Sequence, residues 1–380
     1  MSKFSYPRAL AVLGVLFLLA SPTHAQTTYV AFGDSITQGI GDDPNRAEKG
    51  YPPRLEALLQ QRGQNAEVRN EGLGGETTSD GVSRIGRVLR LGDDVLLLME
   101  GTNDINEQKL SNETIAFNLD KMADKAQSIG MTIVHATVIP RFGANYDATN
   151  IVTGDLNGRI RELAWNQERK LADPFEVILR QTTNLGQLYF DKLHPNTAGY
   201  DVLAKVFADV ITSVDTVPPV TGLVTPVNDS PRVPPTTPIH LNVYDFGTGI
   251  DVAATRLVVN EQVVNTPLTG NSRKLEITYA PPEPWKGVVI VRLRSQDLAN
   301  PPNLLDREVT QFTIEGTTFL PGDVDRDGRV DGADLLAFAP HFGTRRGEGR
   351  FVGFADINVD DEINGTDLAI LASNFGKSSL

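Results

Sequence analysis

Serine is a weak nucleophile until a base lies within hydrogen-bond reach, so the first question is which serine could meet one. Ser35 stands in Gly33-Asp34-Ser35, directly behind the short apolar run Tyr29–Phe32. That placement predicts a hydroxyl on a strand-to-helix turn at the carboxyl edge of a sheet, where a helix start favours developing negative charge. Two histidines lie in the same stretch, His135 and His194. His135 falls inside the apolar run Ile133–Ile139, the setting of a buried structural histidine, whereas His194 lies in Asp191-Lys192-Leu193-His194-Pro195-Asn196, a loop before a helix. Asp191 could fold back onto the other imidazole nitrogen, fixing the tautomer and stabilising the imidazolium. Ser83, Ser111 and Ser128 have no comparable setting.

A second set of residues is suited to a hard cation. Oxygen ligands at loop positions 1, 3, 5, 7, 9 and 12 describe an EF-hand-like calcium loop. The tail offers Asp323, Asp325, Asp327, the Arg329 carbonyl, Asp331 and Asp334, and 33 residues later Asp356, Asn358, Asp360, the Glu362 carbonyl, Asn364 and Asp367. Each copy runs into a helix-like stretch ending in Phe-Gly, so one small module is built twice. Gly328 supplies the sharp turn of the first loop, but Asp361 takes that place in the second, which predicts a weaker second site. The alternative is an acidic surface loop without metal. Calcium is expected to fold this tail, and the serine chemistry itself calls for no cofactor.

The elements that must position these residues alternate. Tyr29–Phe32, Val95–Met99 and Thr132–Ile139 are short and apolar, as buried parallel strands are, while Arg54–Arg62, Asn112–Ile129, Leu156–Leu171 and Gly199–Ile211 have helical composition and spacing. Such alternation predicts a layered α/β domain with its site at the carboxyl ends of the strands. Composition changes at Asp215, and residues 215–238 hold seven prolines that no helix could tolerate. Short alternating runs follow at Ile239–Tyr244, Thr255–Val259, Lys274–Tyr279, Val288–Arg294 and Val309–Ile314, broken by the turn Asp245-Phe246-Gly247-Thr248-Gly249. Their rhythm predicts a β-sandwich of roughly a hundred residues.

Composition bounds the rest. At 380 residues the chain suits two or three domains. A net charge of −13 argues against a nucleic-acid partner and against anchoring on anionic lipid. The absence of cysteine removes disulfides and thiol catalysis. Lys3 and Arg8, the apolar run Ala9–Ala20 and Thr23-His24-Ala25 read as a signal peptide over 1–25, with an uncleaved anchor as the alternative. The mature chain is therefore expected to be secreted or held at the cell surface, with no transmembrane segment.

Four ordered blocks between Tyr29 and Ile211 resemble the SGNH hydrolase superfamily, the GDSL lipases and esterases. They are Phe32-Gly33-Asp34-Ser35-Ile36-Thr37-Gln38-Gly39, Asn70-Glu71-Gly72-Leu73-Gly74-Gly75-Glu76-Thr77, Gly101-Thr102-Asn103-Asp104, and Asp191-Lys192-Leu193-His194-Pro195. The resemblance implies a three-layer α/β fold with a flavodoxin-like parallel sheet over 28–213. It implies a catalytic set of Ser35, His194 and Asp191, acylation of Ser35, and an oxyanion held by the N–H groups of Ser35 and Gly75 and by the Asn103 side chain. Gly74 is the near alternative to Gly75. Read only as structure, Asp34 is an N-cap or turn residue, Asp104 a brace for the Asn103 loop, the two glycines a turn and Asn103 a cap. Residues 214–317 resemble bacterial immunoglobulin-like modules through strand rhythm and the Asp-rich turn. Residues 320–377 resemble a type I dockerin, whose loops carry Asp at position 12 as here, or a related bacterial EF-hand repeat.

Three functional readings follow. In the first, a secreted esterase acts on acylated polysaccharide and docks to a cohesin-like partner through its tail. In the second, the same enzyme takes lipid-like substrates, as a lysophospholipase or thioesterase would. In the third, the α/β domain is a non-catalytic binding or structural module.

Overall fold

The computed structural model describes residues 25–107, 109–142, 147–181, 184–315, 320–325, 328–345, 354–358, 360 and 362–378. The leader read at the amino terminus falls outside them, apart from Ala25.

The first region runs β1 (Thr27–Gly33), α1 (Ser35–Gln38), α2 (Tyr51–Gln61), β2 (Ala66–Gly72), α3 (Thr78–Val88), β3 (Val95–Met99), α4 (Thr102–Glu107), α5 (Asn112–Gln127), β4 (Thr132–Ala136), α6 (Asp147–Asn166), β5 (Lys170–Ala172), α7 (Pro174–Gln181) and α8 (Thr197–Ile211). The five strands are parallel in the order β2-β1-β3-β4-β5. Alternation along each strand feeds two cores. Tyr29, Ala31, Leu97, Met99, Val134 and Ala136 pack towards α2 and α8, whereas Val30, Phe32, Leu96, Leu98 and Ile133 pack towards α3, α5 and α6. Helices on both faces make a three-layer α/β sandwich, as expected of the SGNH fold. The strand order reverses between β1 and β3, which opens a crevice at their carboxyl ends. Ser35 follows one of these strands and Asn103 the other.

Two elements differ from the sequence reading. The helix expected over Leu156–Leu171 ends at Asn166, and Lys170–Ala172 pairs with β4 as the edge strand β5. Glu168 takes φ 51° at the turn between them. The strand expected over Thr132–Ile139 ends at Ala136, where Asn157 takes over the Val138 N–H and carbonyl at 2.8 and 2.9 Å.

The second region holds β6 (Val220–Thr225), β7 (Ser230–Val233), β8 (Ile239–Tyr244), β9 (Arg256–Val259), β10 (Gln262–Val263), β11 (Leu268–Gly270), β12 (Lys274–Tyr279), β13 (Val288–Gln296) and β14 (Leu304–Ile314). One sheet runs β10-β9-β13-β14-β7 and the other β11-β12-β8-β6. Their inward residues share one core, including Leu241, Val243 and Ile277 from one sheet and Leu257, Val291 and Phe312 from the other. The proline-rich stretch supplies β6 and β7, two strands that its composition had hidden. This sandwich packs on the α/β region through Trp165, Tyr244 and Phe246. Arg161, in a buried 2.7 Å ion pair with Asp173, also donates to the Thr221 carbonyl at 3.0 Å.

The tail contains α9 (Gly332–Phe338), the paired strands β15 (Thr344–Arg345) and β16 (Glu362–Ile363), and α10 (Gly365–Asn374). Val324, Val330, Phe338, Ala355, Ile363 and Leu371 form a small core that joins the two halves.

Candidate active site

Ser35 opens α1, and its local geometry follows from its neighbours. Asp34 caps the helix by accepting the Ile36 N–H at 2.8 Å. A Cβ at Gly33 would lie 2.2 Å from Thr37 Oγ1 and 2.3 Å from the Met99 carbonyl, so the turn closes only on glycine. Asp34 is fully buried, and burial pushes its carboxyl up to about 6 against the opposing hydrogen bond from Ile36.

The His194 loop meets this turn from across the crevice. His194 Nε2 lies 3.0 Å from Ser35 Oγ, and Nδ1 lies 2.8 Å from Asp191 Oδ2. Asp191 Oδ1 accepts the backbone N–H groups of Leu193 and His194 at 2.7 and 2.6 Å. Partial burial alone would raise the Asp191 carboxyl, but the hydrogen bonds from the His194 ring and from these two N–H groups hold it below the usual range. Asn196 begins α8 by accepting the Gly199 N–H at 3.1 Å, which anchors the loop behind His194. The loop also approaches the Ser35 side closely. At Gly41, φ is 91° and a Cβ would stand 2.7 Å from the Pro195 carbonyl and 3.2 Å from His194 Cβ.

His135 stands apart from this cluster. It is buried in β4 with Nε2 3.3 Å from Arg169 Nη1, and burial followed by the Arg169 charge lowers its pKa to about 3.

The second and third blocks meet beside Ser35. Asn103 Nδ2 donates to the Glu76 carbonyl at 2.8 Å, and so lies against the turn that carries Gly74 and Gly75. Gly75 has φ 80°, and a Cβ there would meet nothing within 4 Å; one at Gly74 would lie 3.9 Å from Ser35 Cβ. The N–H groups of Ser35 and Gly75 donate to no protein acceptor among the described residues. Asp104 is a brace, accepting Thr78 N–H and Oγ1 at 2.8 and 2.7 Å at the start of α3.

Supporting residues went unseen in the sequence because their partners are distant. Arg141, fully buried, donates to the Thr102 carbonyl at 2.9 Å and to Asn106 Oδ1 at 2.8 Å, gripping the Asn103 helix. Arg84 pairs with Glu76 at 2.5 Å and lies over the Phe32 ring. Glu100 is buried behind Asp34; burial, the Asp34 charge and Glu76 push its carboxyl well above the usual range.

In the tail, Asp323, Asp325 and Asp334 each bring a carboxylate oxygen within 4.8 Å of the others, as do Asp356, Asp360 and Asp367. Asp334 Oδ1 accepts the Val324 and Asp325 N–H groups, and Asp367 Oδ1 those of Ile357 and Asn358, so each position-12 carboxylate closes its loop. Asp331 and Asn364 cap α9 and α10. Glu362 lies in β16 and Arg329 bridges to Ser378. Asp327 and Asp361 lie outside the described residues. The all-oxygen donor set fits calcium.

Residues 31–202 match the GDSL-like lipase/acylhydrolase family, and residues 321–375 match the dockerin type I domain. The esterase TesA of Pseudomonas aeruginosa is 30% identical over 144 residues, which cover 37% of this chain and 69% of that protein. The chain belongs to the GDSL family. An arylesterase of Vibrio mimicus is 29% identical over 137 residues, 35% of this chain and 66% of its own length. The chain thus spans about two thirds of the length of these relatives. Among solved structures, an acetylxylan esterase from Geobacillus stearothermophilus shares 22% identity with a TM-score of 0.42, over 49% of this chain and 94% of that one. This chain is an esterase/acylhydrolase of the GDSL family with a carboxyl-terminal dockerin. Dockerin domains commonly bind calcium. Among the described residues no helix is long and apolar enough to cross a membrane.

Proposed function

We propose that the protein is an exported esterase that removes acyl groups from polysaccharide through an acyl-enzyme on Ser35. The observation that carries this reading is the continuous relay of 3.0 Å from Ser35 Oγ to His194 Nε2 and 2.8 Å from Nδ1 to Asp191 Oδ2. His194 Nε2 takes the hydroxyl proton as Oγ attacks the ester carbonyl carbon. Negative charge builds on the carbonyl oxygen, where the N–H groups of Ser35 and Gly75 and the Asn103 amide donate to it; each such donor is typically worth about 3 kcal/mol. The tetrahedral species collapses, and His194 returns the proton to the departing alcohol. Water then gives a proton to His194 as it attacks the acyl carbon, and His194 returns that proton to Ser35 Oγ as the acid is released. Asp191 holds the ring in the tautomer that presents Nε2 as acceptor.

In this account 28–213 is the hydrolase, 214–317 an immunoglobulin-like spacer and 320–377 a calcium-folded dockerin that seats on a cohesin-like partner. The tail's calcium would be held by Asp323, Asp325, Asp327, the Arg329 carbonyl, Asp331 and Asp334, and by the matching set from Asp356 to Asp367. An esterase joined to a docking module supports a polymer substrate, because docking holds the enzyme beside material that cannot diffuse to it.

A second reading, lipid-like substrates, draws on the exposed apolar side chains Ile40, Leu73 and Phe190, which lie on the loops around Ser35. A substrate panel separates the two. Acetylated xylan and short-chain p-nitrophenyl esters should be turned over with far higher kcat/KM than lysophospholipid or long-chain esters. The reverse order would replace the polysaccharide reading with the lipid one.

A further inference from the structure

Three carboxylates far apart in sequence meet where the α/β region joins the sandwich. Asp215 lies between α8 and β6, Asp245 follows β8, and Asp297 follows β13. One oxygen of each lies within 4.8 Å of the other two, a spacing that fits oxygens sharing one ion at about 2.3–2.6 Å.

A cluster of acids alone would carry little, but one of its oxygens is left with nothing to bind. Asp245 is 1% exposed. Its Oδ1 accepts the N–H groups of Gly247 and Gly249 at 2.8 and 2.7 Å, while its Oδ2 is buried and accepts no hydrogen bond. Leaving a carboxylate oxygen buried and unpaired is costly unless a charge answers it. Asp215 and Asp297, the charged groups brought against Asp245, are themselves carboxylates. Arg273, which lines the adjoining 720 Å³ cavity, directs Nη1 to the Gly247 carbonyl at 2.5 Å instead.

The surroundings hold the three carboxylates in this arrangement. Asp215 Oδ2 accepts Thr248 N–H and Oγ1 at 2.6 and 2.7 Å. Asn303 Nδ2 donates to Asp297 Oδ2 at 2.6 Å, and the Asn303 and Ala299 N–H groups donate to Oδ1 at 2.7 and 3.2 Å. A Cβ at Gly247 would lie 2.2 Å from Asp215 Cγ, so only glycine lets the linker carboxylate lie against this turn.

We propose that Asp215, Asp245 and Asp297 form a calcium site that fastens the linker to two turns of the sandwich, separate from the calcium loops of the tail. Three carboxylates with no sulfur or imidazole donor suit a hard cation, and ligands drawn from separate loops suit the flexible coordination of calcium. The consequence is mechanical. The turn that carries Asp245 also carries Phe246, whose ring centroid is 6.0 Å from that of Trp165 on α6. An ion there braces the contact between hydrolase and sandwich.

The test uses the full chain with Asp334→Asn and Asp367→Asn, which silence the tail. After chelator treatment, calcium is titrated by isothermal calorimetry and the melting temperature is followed with and without calcium. One equivalent should bind, with a rise in melting temperature of several degrees. Adding Asp245→Asn should weaken binding at least tenfold and remove the rise. In chelator the same variant should melt no lower than its parent, since the amide keeps the Oδ1 contacts and removes a charge. Asp215→Asn should act likewise and serves if the first variant does not fold. No binding to the tail-silenced chain, or binding that neither substitution weakens, would overturn the proposal.

Discussion

Asp191 grips His194 twice, through the ring Nδ1 at 2.8 Å and through the backbone N–H at 2.6 Å. The carboxylate therefore sets the height of the loop as well as the direction of the ring. Asp191→Asn can keep an oxygen towards the backbone donors, yet it replaces the charge that faces Nδ1 and can turn an N–H towards the ring. We expect kcat to fall on the order of 10³–10⁴-fold with little change in KM or in melting temperature. Steady-state kinetics on p-nitrophenyl acetate checks this, and a loss below tenfold would reduce Asp191 to a loop support.

Asn103 carries two amide hydrogens, of which one is directed to the Glu76 carbonyl. In the proposed mechanism the other meets the oxyanion. Asn103→Ala should lower kcat about 10²–10³-fold while leaving KM within a few-fold, the signature of a contact made in the transition state. An increase in KM alone would place the amide in substrate binding.

Asp34 yields a pH-dependent stability. Its folded pKa of about 6 exceeds the ordinary carboxyl value of 3.8, so between these pH values the folded chain holds a proton that the unfolded chain has released. Its contribution is fully present below about pH 4 and is lost as pH rises through 6, amounting to about 3 kcal/mol. Asp34→Asn preserves the cap and abolishes the titration. Relative to wild type, the variant should gain stability from pH 4 to pH 7, as denaturant melts at each pH would show.

The tail should be separable from the chemistry. Asp334→Asn with Asp367→Asn removes the carboxylates that close both loops, through Val324 and Asp325 in one and Ile357 and Asn358 in the other. Calcium-dependent protection of the region after 320 from protease should disappear, while kcat/KM on a small soluble ester stays within twofold.

Much of this was legible because it is local. Ser35 behind β1, Asp34 as its cap, Asp191 three residues before His194 and the repeated acidic loops all lie within short stretches. What escaped was long-range or cryptic. Strand β2, with the sequence Ala-Glu-Val-Arg-Asn-Glu-Gly, sits at the sheet edge and lacks the apolar run of a central strand. Arg141 reaches Thr102 across 39 positions, and Asp215 approaches Asp245 and Asp297 only once the sandwich is built. Periodicity carries no trace of such meetings.

In the proposed mechanism Ser35, activated by His194, becomes covalently acylated. The most direct measurement treats the full chain with a fluorophosphonate and locates the adduct by peptide mass spectrometry while following ester turnover. One equivalent should appear on the peptide containing Ser35, with activity lost in step with labelling and neither label nor activity in Ser35→Ala. Turnover that persists in Ser35→Ala, or a label on another residue that tracks the loss of activity, would contradict it.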